Sequence, residues 1–172
     1  TARRRVVRAA DRLEQDLQHA GYGLGRLPLE YAGCTVTGSD RSFTTPTISF
    51  PLLPLSITDG GSSASDQLAV LIGSSPILFD RVPFDLSSDV DRTKTMRSHV
   101  GFAVGDLLIG IKPAATAATT TCRLLQVSSL PAAPADQIRH EDDGAATSRF
   151  NHGGAPVLGS EGDMINLGTV IA

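Results

Sequence analysis

Side chains that could do chemistry are widely scattered along this chain of 172 residues. The sequence contains no G-x-S-x-G nucleophile turn, no H-E-x-x-H zinc motif and no G-x-x-x-x-G-K-[ST] phosphate loop. The histidines lie far apart in the sequence, at His19, His99, His140 and His152. We therefore predict that the protein is not an enzyme. We expect the histidines to have surface or capping roles, with metal ligation or catalysis as the alternative.

Two acidic segments could bind a cation. SSDVDRT (87–93) carries Asp89 and Asp91, and HEDDG (140–144) carries Glu141, Asp142 and Asp143. Carboxylates spaced along a loop are typical calcium ligands, but neither segment has the spacing of an EF-hand loop. We expect solvated acidic loops, with calcium binding as the alternative, and we predict no cofactor.

The glycine-rich segment GYGLG (21–25) resembles a nucleotide-binding loop only in composition. A dinucleotide loop follows a strand and opens a helix, whereas this segment follows a predicted helix. Glycine reaches the left-handed conformation that closes a helix at little cost. We therefore interpret Gly21, Tyr22 and Gly23 as the stop of that helix.

The helix itself is predicted over residues 2–20. Apolar residues recur at spacings of four, three, four and three, which defines an apolar stripe of Val6, Ala10, Leu13, Leu17 and Ala20. Arginines fall largely outside this stripe. We expect the stripe to be buried against a sheet and the arginine-rich face to remain free. A chain that opens within a helix, without an initiating methionine, is typical of a processed or trimmed product.

Composition narrows the class of protein. Hydrophobic residues make up 41% and charged residues 19%, which suits a globular domain. The net charge of −3 gives no basic surface for nucleic acid, so we predict no nucleic-acid partner. The two cysteines, Cys34 and Cys122, fit no metal motif. They are either two buried thiols or one long-range disulfide, and in a periplasmic or secreted protein we expect the disulfide.

The rest of the chain reads as short strands broken by glycine and proline. DQLAVLIGSS (66–75) is apolar on both faces, which predicts a central strand. HVGFAVGDLLIGIKP (99–113) carries the turn signal Gly105-Asp106, which predicts either a hairpin or a bend into a strong strand. Together with CRLLQVSSL (122–130) it reads as an antiparallel pair joined by a small-residue connector. One helix followed by strands predicts an α+β fold: a single domain over 1–172, in which the N-terminal helix packs on an antiparallel sheet with long loops.

Several segments resemble PilW-like minor pilins of type IV pili. In LEQDLQHAGYG (13–23), the AGYG that ends the helix is similar to that family's pattern, and Cys34 follows it. The same order of short motifs continues along the chain: SDQLAVLIGSS (65–75), VGDLLIGIKP (104–113), CRLLQVSSL (122–130) and INLG (165–168). The family pattern continues past INLG with further strands, which this sequence does not contain.

The resemblance implies a pilin-like fold and a structural function. Residues 1–21 would be the second half of a spine helix, and residues 22–172 the β-rich periplasmic part. Full-length members carry a hydrophobic first half of that helix, which is cleaved and methylated at its N-terminus, anchors the subunit in the inner membrane and later packs in the filament. The expected function is therefore a minor pilin that primes pilus assembly or lies at the tip, with other minor pilins and the major pilin as partners. The protein would lie in the periplasm and inner membrane before assembly and on the cell surface afterwards.

Two alternatives share this plan. A J-type pseudopilin of a type II secretion system would have the same helix and sheet, and a pilus-tip adhesin would add a ligand site in the loops. All these assignments depend on the helix lying along the sheet.

Overall fold

A computed structural model of the chain describes residues 2–22, 24, 28–43, 47–73, 81–85, 92–115, 118–132, 136–151, 158 and 161–169. Within these residues there are one α-helix, ten strands and one 3-10 segment. The elements in chain order are α1 (Ala2–Gln18), β1 (Thr35–Ser39), β2 (Thr47–Pro51), β3 (Leu55–Thr58), β4 (Gln67–Val70), β5 (Val82–Asp85), β6 (Thr93–Met96), β7 (Asp106–Lys112), β8 (Thr121–Gln126), β9 (Gln137–Arg139), the 3-10 segment (Ala146–Asn151) and β10 (Gly162–Thr169).

Eight of the strands form one mixed sheet in the order β2-β1-β8-β7-β10-β5-β6-β9. Neighbouring strands run antiparallel except for β1 and β8, which are parallel. The two remaining strands, β3 and β4, form a separate antiparallel hairpin. The chain is therefore mostly β-structure, and the predicted α+β pilin-like fold is wrong.

The central strands β7, β8 and β10 are buried on both faces of the sheet. Along β7, Ile109 and Ile111 pack in one hydrophobic cluster and Leu108 in another, as the alternation of side chains along a strand requires. Glycine is required at position 110, because a Cβ on Gly110 would lie 2.2 Å from Cδ1 of Leu158. Two layers of apolar side chains thus enclose the middle of the sheet.

The helix α1 is the main departure from the sequence-based prediction. It begins and ends within two residues of the predicted helix, but no pair of described elements in close contact includes it. Of the predicted packing stripe, Val6, Leu13 and Leu17 are 69%, 45% and 40% exposed. The prediction that this stripe is buried against the sheet is therefore wrong; apolar side chains from loops, such as Leu52 and Phe102, pack against the strand residues instead.

Three other sequence predictions have clear outcomes. The antiparallel pair predicted from 99–113 and 122–130 is confirmed as β7 and β8, with Ile109 opposite Leu124; of the two forms expected for 99–113, the bend into a strong strand is the one observed. The segment 66–75 is not a central strand, because its described residues contain β4, which pairs with β3 in the separate hairpin and is largely exposed. Cys34 and Cys122 form the expected disulfide, with their Cα atoms 6.3 Å apart and both residues buried. This bond ties the start of β1 to β8.

Candidate assembly surface

The end of α1 is held against the hairpin formed by β3 and β4. Gly21 has a φ of +80°, so it takes the left-handed conformation expected of a helix stop. Its N–H donates to the carbonyl of Leu71 at 2.8 Å, and the N–H of Gly73 donates to the carbonyl of Tyr22 at 2.6 Å. A Cβ on Gly21 would lie 3.0 Å from Cβ of Pro54. These contacts fix the end of the helix at the base of the hairpin. The third predicted stop residue, Gly23, lies outside the described residues.

The apolar stripe of α1 faces solvent over the length of the helix. Beyond Val6, Leu13 and Leu17, the stripe residue Ala10 is exposed, and Ala20 at its end is half-buried. Amphipathic helices gain most of their stability in proteins by burying the apolar side against another surface. None of the other described helices and strands packs closely on this helix, so its exposed stripe is a surface that another molecule could cover.

Charge is unevenly distributed along the same helix. Exposed arginines occupy its N-terminal half at Arg4, Arg5 and Arg8, while acidic residues begin only further along, at Asp11, Glu14 and Asp16. Arg12 forms a contact of 3.1 Å with Asp16 one turn later. The first turn has no acidic residue and the last turn no basic one, which is the reverse of the charge order that the helix dipole favours. The N-terminal half is thus strongly cationic.

A cleft of about 180 Å³ lies beside the hairpin. Its walls are mostly apolar and come from the end of β2, the following turn, β3 and β4: Phe50, Pro51, Leu53, Ser56, Ala69, Val70 and Leu71. Among the described residues that line it there is no histidine, cysteine or charged side chain. The cleft therefore has the character of an apolar packing surface.

Buried carboxylates elsewhere in the protein accept hydrogen bonds that hold neighbouring segments together. Asp106 accepts hydrogen bonds from the N–H of Ala103 at 2.8 Å, from Nδ2 of Asn166 at 2.8 Å and from Oγ1 of Thr169 at 2.6 Å. Ala103 lies in the turn before β7, whereas Asn166 and Thr169 lie in β10. The carboxylate therefore joins that turn to the end of β10. This arrangement is structural, because its oxygens face protein donors.

A second buried acid, Asp163, binds Tyr31 and Arg81. The hydroxyl of Tyr31 and Nη1 of Arg81 both donate to Oδ2 of Asp163 at 2.7 Å. Burial, and then the hydrogen bond to Asp163, raises the pKa of Tyr31 to about 12. With this pKa the hydroxyl of Tyr31 stays protonated at neutral pH, so it donates a hydrogen bond and does not act as a base. The cluster connects the loop before β1 to β10.

A third acid, Asp40, anchors the 3-10 segment. Arg149 donates through Nε to Oδ1 of Asp40 at 2.7 Å and through Nη2 to Oδ2 at 2.5 Å. These hydrogen bonds from Arg149 lower the pKa of Asp40 to about 2, against the opposing effect of burial. The neighbouring Arg41 pairs with Asp142. The pairs hold the loop after β1 against the 3-10 segment.

The residues singled out for metal or acid–base chemistry are not brought together. His19 Nδ1 lies 2.7 Å from the carbonyl of Gln15, His99 Nδ1 lies 3.0 Å from Asp136, and His140 is buried. In the second acidic segment, Asp142 pairs with Arg41 and Asp143 accepts the N–H of Ala145. Among the described residues, no group of three or more histidine, cysteine or acidic side chains could hold a metal ion. Asp89 and Asp91 of the first acidic segment lie outside the described residues, as does His152.

The hairpin surface was missed by the sequence reasoning. Leu55, Ile57 and Leu68 are exposed at 39%, 69% and 41%, although apolar residues on both sides of the segment 66–75, which contains Leu68, favoured a buried strand. The available signal was the segment GGSSASD (60–66), which separates two short apolar runs and is typical of a hairpin turn.

No helix in the described part of the chain is long and apolar enough to span a membrane. No protein-family model, no curated protein and no solved structure matches the chain.

Proposed function

We propose that this protein is a non-enzymatic subunit of a filament, of the minor pilin type, and that α1 is the element by which it joins its neighbours. The observation that carries the proposal is the exposed stripe of α1, in which Val6, Leu13 and Leu17 face solvent. Apolar side chains aligned along one exposed helix face are typical of a protein–protein contact. The partners proposed are other minor pilins and the major pilin, in the periplasm and at the cell surface.

The support for this proposal differs from the sequence-based expectation. The sequence-based assignment depended on packing of α1 on its own sheet, and the described residues do not show that packing, so the proposal now rests on other observations. What supports the proposal is the exposed stripe, the order of motifs from AGYG to INLG, and the disulfide between Cys34 and Cys122, which suits an oxidising compartment. A helix that is free in the isolated subunit can pack fully against other subunits.

The test is co-purification of the full-length protein with the other minor pilins of its own gene cluster. Leu13→Asp places a charge in the middle of the stripe, and Gln15→Asp places the same charge on the opposite, exposed face of the helix. We expect the wild type and Gln15→Asp to retain the minor pilins, and Leu13→Asp to lose them. Equal thermal melting of the two variants would show that the loss is not caused by unfolding.

Two results would overturn the proposal. One is retention of minor pilins by Leu13→Asp at the wild-type level, which would show that the stripe is not the contact. The other is failure of the wild type to bind any minor pilin, or binding to secretion-system subunits instead.

A further inference from the structure

The hairpin carries a second unpartnered apolar face. In β3 and β4, Leu55 lies opposite Val70 and Ile57 opposite Leu68. Directly opposite residues, and residues two apart along a strand, share one face of a hairpin. Leu55, Ile57 and Leu68 are all exposed. A two-stranded hairpin is only marginally stable alone, so covering this face would stabilise it.

The tip of the hairpin is acidic. Asp59 and Asp66 flank the turn between β3 and β4, and both are exposed. Their Oδ1 atoms accept the N–H of Gly61 at 2.7 Å and of Gly60 at 3.1 Å, which fixes both carboxylates at the turn. The surface therefore consists of an apolar strip that ends in two negative charges.

The helix α1 has the complementary order of features. Its stripe from Val6 to Leu17 is about 16 Å long, at 1.5 Å per residue, and the four-residue strands β3 and β4 are about 13 Å long. Four of its five arginines lie in the N-terminal half, and the fifth, Arg12, is paired with Asp16 in the C-terminal half, where all its acidic residues lie. Only one orientation brings the cationic half to Asp59 and Asp66 and keeps the acidic half away from them.

We propose that α1 of one copy packs its stripe on the hairpin face of a second copy, with its N-terminal half at Asp59 and Asp66. This inference rests on the proposed assembly function and names the surface that receives the helix. Within one chain, the hydrogen bonds of Gly21 and Gly73 hold the end of α1 at the base of the hairpin, and both apolar faces stay exposed. Because helix and hairpin are different surfaces, the contact is heterologous and can repeat head to tail.

Disulfide trapping tests this contact between two variants of the whole chain, each of which carries one added cysteine. Leu13→Cys and Ile57→Cys are mixed and oxidised, and the products are separated without reductant. The native disulfide is buried and contributes no free thiol. The matched controls are Gln15→Cys and Thr58→Cys, which place the thiol on the opposite face of the same helix and strand. We expect the yield of mixed dimer from the first pair to be well above the yield from the control pair.

Charge supplies a second readout. Adding Asp59→Lys and Asp66→Lys to the Ile57→Cys chain should lower the yield of mixed dimer about fivefold at low salt, since exposed ion pairs are worth about 0.2–1 kcal/mol each and 1.4 kcal/mol is tenfold. High salt should weaken the unaltered pair as well. An unchanged yield with both lysines would refute the proposed orientation.

Three other outcomes would overturn the inference. Equal yields from the test and control pairs would show no specific contact, and dimers of Leu13→Cys alone would show helix–helix pairing. An intramolecular bond in Leu13→Cys/Ile57→Cys, without mixed dimers, would show that the helix closes on its own hairpin. If trapping fails while minor pilins still co-purify, the inference is wrong and the proposed function stands. If both fail, the proposed function falls with it.

Discussion

Loss of the disulfide between Cys34 and Cys122 should destabilise the protein by several kcal/mol. The bond closes a loop of 88 residues, and the chain-entropy model gives about 4.5 kcal/mol for a loop of that length. Because both cysteines are buried, Cys34→Ala/Cys122→Ala also removes a little packing. Strain and residual structure in the unfolded chain usually reduce the measured effect, so we expect a loss of about 2–5 kcal/mol.

The assay is equilibrium urea unfolding of the wild type and the double alanine variant, followed by circular dichroism. In thermal unfolding of the same two proteins, the melting temperature should fall by about 4–20 °C, at about 2–4 °C per kcal/mol for a chain of this size. Wild type unfolded with a reductant present is the control, and it should resemble the variant. A loss below about 1 kcal/mol would refute the reasoning, as would alkylation of two thiols in the native wild type.

Three further predictions follow from the contacts of single residues. Leu13→Asp should change the free energy of unfolding by less than about 0.5 kcal/mol, because the side chain is exposed; urea unfolding that shows a loss of 2 kcal/mol or more would mean that the stripe is packed. Asp106→Asn should cost about 1–3 kcal/mol, because it places an amide N–H₂ group among three donors; an unchanged melting temperature would contradict this. Arg149→Met should destabilise the protein at neutral pH, and the difference should shrink as the pH falls from about 4 to 2, because the lowered pKa of Asp40 gives stability that is lost on protonation; a difference that is constant with pH would refute the role of the pair.

Local patterns predicted the elements better than their partners. The period of apolar residues placed the helix nearly where it lies, and the antiparallel pair of β7 and β8 follows from two apolar runs with a short connector. The apolar stripe shows that one helix face needs a cover, but it does not specify whether the cover belongs to the same chain. That is why the packing of Leu13 and Leu17 on the sheet was predicted wrongly.

Apart from the disulfide between Cys34 and Cys122, contacts between distant parts of the chain had no signal in the sequence. The parallel pairing of β1 with β8 joins residues far apart, such as Val36 and Cys122, and a periodic pattern carries no information on such partners. Single acids such as Asp106 and Asp163 give no indication that they are buried, because their donors come from other segments. The exposed hairpin was misread for the same reason, since a run that is apolar on both sides can be buried or unpartnered.

Amide hydrogen exchange on the isolated chain and on its assembled form tests the central claim most directly. A helix of 17 residues without tertiary packing is only marginally stable in water, so in the isolated chain the amides of α1 should exchange with little protection while those of β7 and β10 approach the global limit. In complex with the proposed filament partners, the protection of α1 should rise sharply. Protection of α1 in the isolated chain equal to that of β7, or no change on assembly, would contradict the account.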